Sequence, residues 1–202
     1  MSNFLAIDTS SRYLTVLAKK GEKSVLRHLP DCAMQHSVIL MDEIDGALDE
    51  CGLSVGECDF FAAVTGPGSF TGIRIGISTA KGFALAADKP LLSITSFDLI
   101  AYNVADENFY VVIDAAHAHY YVCGYGKSKK ITFNPRYMSK EEVKNLEFPL
   151  YGFEDLPFEN YAKLDVKNCI APALSLNEEH LSREMRALYV RKSQAEEMRN
   201  GN

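Results

Sequence analysis

Two hydrophobic periods run along this chain. Phe4-Leu5-Ala6-Ile7-Asp8 and residues 13–18 are short apolar runs joined by the polar turn Thr9-Ser10-Ser11-Arg12, and residues 24–29 continue them. Runs of this length and spacing predict three strands in an antiparallel meander. From His36 to Cys51 the period lengthens. Leu40, Ile44, Ala47, Leu48 and Cys51 share one helical face, while Asp42, Glu43, Asp45, Asp49 and Glu50 lie away from it and Gly52 supplies the stop. A strand over residues 60–64, a glycine-rich loop, a helix over about residues 72–87 and a strand over residues 91–94 follow. Strand runs followed by helix and strand alternation indicate an α/β unit on a mixed sheet.

The pattern then restarts. Phe109-Tyr110-Val111-Val112-Ile113-Asp114 and, after a short turn, His119-Tyr120-Tyr121-Val122-Cys123 echo Phe4 to Asp8 and Tyr13 to Leu17. Each half opens with an apolar strand ending in aspartate and followed by a hairpin return, which predicts an internal duplication. Beyond Gly126 the pattern weakens, and Pro135, Pro149 and Pro157 predict short, interrupted elements over residues 131–165.

Composition narrows the function classes. The chain has 202 residues, enough for one large core or two modest lobes. No window approaches the roughly 18 consecutive apolar residues of a membrane span, and Met1-Ser2-Asn3 leads into an apolar strand without a basic leader, so a soluble, cytoplasmic protein is expected. The five cysteines are scattered without a CxxC pair and read as reduced, structural thiols. A net charge of −6 argues against gripping a nucleic-acid backbone unaided, so any tRNA contact is expected only through a partner.

Gly66-Pro67-Gly68-Ser69-Phe70-Thr71-Gly72-Ile73-Arg74-Ile75-Gly76 is the most distinctive stretch. Glycines before a helix can cradle a phosphate, because backbone N–H groups then approach the anion. Gly66-x-Gly68-x-x-x-Gly72 is one residue too long for a dinucleotide fingerprint, and Gly72-Ile73-Arg74 stands where a P-loop needs Gly-Lys-Ser/Thr. Ser69 is not centred in a nucleophile elbow and is read, with Thr71, as a helix cap. The helix that follows is apolar or small around almost its whole circumference. Ile73, Ile77, Ala80, Phe83 and Ala84 form one arc, Ile75, Thr79, Gly82 and Ala86 another, and only Arg74 and Lys81 carry charge. Burial inside its own lobe is one reading; a second face for a partner helix is the other.

With Ile7-Asp8-Thr9-Ser10, His36-Ser37, the glycine loop through Gly76, Ala80-Lys81-Gly82 and Pro90-Leu91, the first 100 or so residues resemble the TsaB (YeaZ) family of tRNA threonylcarbamoyladenosine biosynthesis proteins, as does the closing Leu188-Tyr189-Val190-Arg191 with Ala195-Glu196. The resemblance implies the glycoprotease-like branch of the actin-like ATPase (ASKHA, ribonuclease H-like) fold. Two lobes, each a mixed β-sheet with helices, would span residues 1–105 and 106–202, the second reduced and the C-terminal tail returning to the first. It implies a non-catalytic role beside the paralogous threonylcarbamoyltransferase TsaD, with the ATPase TsaE joining them and self-pairing as a further option. The two helices of the first lobe would carry the contact, at Ile75, Thr79, Ala80, Gly82, Phe83, Ala86 and Ile39.

The catalytic paralogue would place a His-x-x-x-His metal pair after its Pro-Leu strand; here those positions hold Ser96 and Ile100. His117 and His119, on one strand face by their i, i+2 spacing, are the remaining metal candidates and lack a third ligand. No catalytic residue, metal or resident cofactor is expected. Asp8, Thr9 and Ser10 are retained as weak candidates for an adenine nucleotide in the interlobe cleft, a complex interface being the other place for one, although Asp8 is not followed by glycine and more simply satisfies its own turn. The alternative reading is a metal- or ATP-dependent hydrolase, a glycoprotease-like peptidase on the same fold.

Overall fold

A computed structural model describes residues 2–175 and 178–191. Ala195 and Glu196, part of the family resemblance, lie outside the described residues. The first half contains β1 (Phe4–Asp8), β2 (Leu14–Lys20), β3 (Lys23–Leu29), α1 (His36–Cys51), β4 (Phe60–Val64), α2 (Phe70–Ala87), β5 (Leu91–Ile94) and α3 (Ser96–Ala101). The second contains β6 (Phe109–Asp114), β7 (His119–Tyr125), β8 (Ile131–Ser139), α4 (Lys140–Lys144), β9 (Leu150–Gly152), β10 (Tyr161–Lys163) and α5 (Ile170–Ser175).

The two sheets have one topology. In the first, ordered β3-β2-β1-β4-β5, β1 pairs antiparallel with β2 and parallel with β4. In the second, ordered β10-β9-β6-β7-β8, β6 pairs antiparallel with β7 and parallel with β9. The duplicated opening strand is therefore the centre of each sheet. The second copy is reduced: α4 has 5 residues where α1 has 16, and a loop joins β9 to β10 where the 18-residue α2 joins β4 to β5.

Central strands are buried on both faces, which explains their nearly continuous apolar runs. Phe4, Phe60, Leu92 and Ile94 on one face of the first sheet meet Phe109, Val111 and Ile113 of the second through Phe97 and Ile100 of α3 and Ile170 and Leu174 of α5. This shared core joins the lobes. The other face of the first sheet, with Leu5, Ile7, Val16 and Phe61, packs under Leu40 and Ile44 of α1 and Ile73, Ile77 and Ala80 of α2. Val112, Val122 and Leu150 form the outer core of the second lobe with Val143 of α4. Among the described residues no helix is long and apolar enough to cross a membrane.

Pro135 departs from its expected role, for it lies inside the nine-residue edge strand β8 instead of ending one. Val122 pairs with Arg136 and Gly124 with Phe133, so Asn134 and Pro135 together oppose Cys123 in a bulge. A missing N–H is tolerated where the ladder is already interrupted at an edge. After α5 the chain returns to the first sheet: Ser182 and Leu91 exchange both backbone hydrogen bonds at 2.9 and 2.7 Å, Met185 is buried, and the Leu188 N–H donates to the Thr65 carbonyl at 2.8 Å.

Candidate functional site

The glycine loop closes directly over the end of β1. A Cβ on Gly72 would overlap the Thr9 carbonyl oxygen and one on Gly68 the Ser10 carbonyl oxygen, so only glycine permits this approach. The Ser69 N–H donates to the Ser10 carbonyl at 2.7 Å, and the Thr9 hydroxyl donates to the Gly72 carbonyl at 2.7 Å. Ser69 caps α2 by accepting from the Gly72 N–H at 3.2 Å, whereas Thr71 lies exposed inside the helix.

Asp8, Thr9 and Ser10 are all buried. The Asp8 carboxylate accepts from the Ser10 N–H at 2.9 Å and the Tyr13 hydroxyl at 3.0 Å, and desolvation raises its pKa. Asp8 thus satisfies the turn that follows it. Ser10 accepts a long hydrogen bond, 3.4 Å, from Ser96.

Above this turn lies an interlobe cavity of about 520 Å³, lined by Ser10, Tyr13, Gly68, Asp114, Phe153 and Glu154 among others. Two acidic side chains face it. They are Asp114 and Glu154, and Arg12, the one lysine or arginine among the described lining residues, is paired with Asp31 at 3.1 Å. Burial, with Asp114 adding like charge, pushes the Glu154 carboxyl up to about 7, and its Oε2 is buried without a hydrogen-bond partner.

Ser96 and Ile100, which the resemblance sets at the paralogue's metal positions, are buried on α3, and Ile100 belongs to the interlobe core. The histidines of His117-Ala118-His119 do not share a strand face, contrary to the expectation from spacing. Residues 116–118 each have positive φ, 54–63°, so His117 lies in a turn and β7 begins only at His119. His119 stacks on Tyr137 at 4.7 Å. Among the described residues no three His, Cys, Asp or Glu side chains converge as metal ligands.

The first two helices carry four of the exposed large apolar side chains. Val38 on α1 is 74% exposed and Leu85 on α2 is 86% exposed, with Met41 and Phe70 also open to solvent. A groove between the helices is walled by Leu40, Met41, Phe70, Arg74, Ile75 and Thr79. Gly82 and Ala86 face outward, and Ile75 and Thr79 are half-buried. One of the expected contact residues, Ala80, faces inward, and three others, Ile75, Phe83 and Ile39, are partly buried against the core. Ala80 is fully buried because the helical period places it with Ile73, Ile77 and Ala84 on the sheet side; Phe83 is half-buried and stacks on Phe61 at 5.6 Å; Ile39 is half-buried against the same core. Sequence reasoning missed Val38 and Met41, whose i, i+3 spacing among the acidic residues of α1 was the available signal. Leu85, between two alanines, gave none.

The pattern of the TsaD family, tRNA N6-adenosine threonylcarbamoyltransferase, matches residues 29–163. The tRNA threonylcarbamoyladenosine biosynthesis protein TsaB of Haemophilus influenzae is 36% identical over 117 residues, 55% of this chain and 48% of its own length. TsaB of Bacillus subtilis is 30% identical over 99 residues, 49% of this chain and 43% of its own. The chain thus spans about half the length of the curated relatives it matches. Two solved Pseudomonas aeruginosa structures share the fold: an uncharacterized protein with similarity to peptidase YEAZ (19% identity, TM-score 0.78, 95% of this chain and 100% of that one) and YeaZ (20%, 0.76, 94% and 100%). The structures share the two-lobed actin-like fold, and by pattern and relatives the chain belongs to the TsaD family of tRNA N6-adenosine threonylcarbamoyltransferases, on its TsaB (YeaZ) branch.

Proposed function

We propose that this chain is a non-catalytic subunit in formation of threonylcarbamoyladenosine on tRNA, working in the cytoplasm, and that it binds a TsaD-type paralogue through α1 and α2. The observation that supports the reading is the groove between those helices, walled in part by the exposed side chains of Met41 and Phe70, with Val38 and Leu85 exposed elsewhere on the same two helices. Exposed apolar side chains around a groove are suited to a site for another protein. Residues 2–105 form the partner-binding lobe and residues 106–175 the second, with residues 182–188 returning to the first. A TsaE-type ATPase joins through the assembled pair, tRNA is met only through the complex, and a second copy of the chain uses the same face when the paralogue is absent.

The non-catalytic part of the reading is supported by Ser96 and Ile100 at the paralogue's metal positions, since neither supplies an imidazole, and by the carboxylates at the interlobe cavity. Gel filtration of the chain mixed with the TsaD-type protein of its own genome tests the pairing. Co-elution is expected for the wild type and its loss for Val38→Asp, an exposed position where folding should survive; equal co-elution of both counts against this face. Phosphate release and metal content of the purified chain test the hydrolase reading, which robust solitary turnover or stoichiometric metal would favour.

A further inference from the structure

The segment that closes the described chain touches both lobes within three residues. Leu188 is hydrogen-bonded to Thr65 beside the glycine loop and, with Val190, lies against the interlobe core. Tyr189 packs on Phe70 with ring centroids 5.0 Å apart, and its hydroxyl accepts from Arg74 Nε at 3.1 Å. The Arg74 guanidinium lies 3.7 Å from the Phe70 ring centroid, which closes a three-membered cluster at the start of α2. Two residues on, Arg191 donates to the Tyr137 hydroxyl at 2.9 Å and stacks over that ring at 4.8 Å; Tyr137 belongs to β8 and itself stacks on His119 at the start of β7.

We infer that residues 188–191 are a strap that couples the position of the second lobe to the partner-facing groove of the first. Phe70 and Arg74 wall that groove, and the same two side chains hold Tyr189. A shift of β8 is therefore passed through Arg191 and Tyr189 to the groove wall. Coupling between two sites is reciprocal, so a partner that fixes Phe70 and Arg74 also quiets β7 and β8. The inference rests on the proposed use of α1 and α2 as a partner face, and its test is arranged to separate the two.

Hydrogen–deuterium exchange on the full chain, wild type and Arg191→Ala, reads the strap without a partner. Exchange is expected to rise severalfold over β8 and, at a distance, over residues 72–78 of α2. A rise confined to β8 and its neighbours overturns the strap, and so does no change at all. Calorimetric titration with the TsaD-type paralogue adds the second reading. Arg191→Ala is expected to weaken binding about tenfold, within the usual range of intramolecular coupling, with Arg191→Lys intermediate because it keeps charge but not the flat stacking group. If Val38→Asp abolishes binding while Arg191→Ala leaves it within twofold of wild type, the face stands and the strap falls. If Val38→Asp leaves binding intact the face falls, and exchange over residues 72–78 alone decides the strap.

Discussion

The Thr9 hydroxyl and the Gly72 carbonyl meet at 2.7 Å, fastening the end of β1 to the first turn of α2. This contact, with the Ser69–Ser10 backbone bond, makes the glycine loop a fastening of strand to helix. Its glycines give room for another backbone.

Gly72→Ala is expected to destabilise the chain by about 3 kcal/mol or more, because the added methyl overlaps the Thr9 carbonyl oxygen and backbone must move. Gly82→Ala is expected to do the opposite: Gly82 lies within α2 with nothing within 4 Å of an added Cβ, so helix propensity alone gives a gain of about 0.5–1 kcal/mol. Urea unfolding of both variants checks the pair; similar losses in both would contradict the close approach at Gly72.

Glu154 predicts a pH dependence. Its carboxyl is raised from the ordinary 4.5 to about 7, so the folded chain holds that proton more tightly than the unfolded chain. The stabilisation is complete below about 4.5 and is lost as pH rises through 7. Glu154→Gln should remove this component and be the more stable form at pH 8, by on the order of 2 kcal/mol. Unfolding curves of both proteins between pH 5 and 8 test it, and parallel pH profiles would count against a protonated Glu154.

All five cysteines are buried and free, and burial pushes the Cys58 thiol up to about 11 and those of Cys123 and Cys169 up to about 12. A thiol-specific disulfide reagent at pH 8 should therefore titrate almost none in the native chain and all five in guanidinium. Rapid native labelling of one or more cysteines would contradict this packing.

The first lobe was legible because its elements are long and periodic. Residues 36–51 show one apolar stripe and a glycine stop, and α1 runs from His36 to Cys51 with Gly52 left-handed after it. In α2 the period gave the angles but not which arc faces the sheet. Ala80 is small enough for either role, and only the packed structure places it under Ile73 and Ile77. The second lobe was harder to read. β9 and β10 have three residues each, too few to show alternation, and their pairing depends on partners distant in sequence. α3 has only six residues, yet it carried an unused signal: Thr95 and Asp98 form a reciprocal capping box at its start. The return of the closing segment to the first lobe was expected only from the family resemblance, and its contacts with Thr65, Phe70 and Tyr137 could not be read from the sequence.

The most direct measurement is the dissociation constant between this chain and the TsaD-type paralogue of its own genome, by calorimetric titration of the wild type and of Val38→Asp, with unchanged melting temperature as the check on folding. Val38 is 74% exposed, so the substitution alters the face and leaves the interior alone. The account predicts stoichiometric binding by the wild type and a loss of at least a hundredfold in the variant, roughly the 3 kcal/mol of a charge buried at an apolar interface. Equal affinity for both proteins, or no binding by the wild type with a TsaE-type ATPase and nucleotide present, would contradict it.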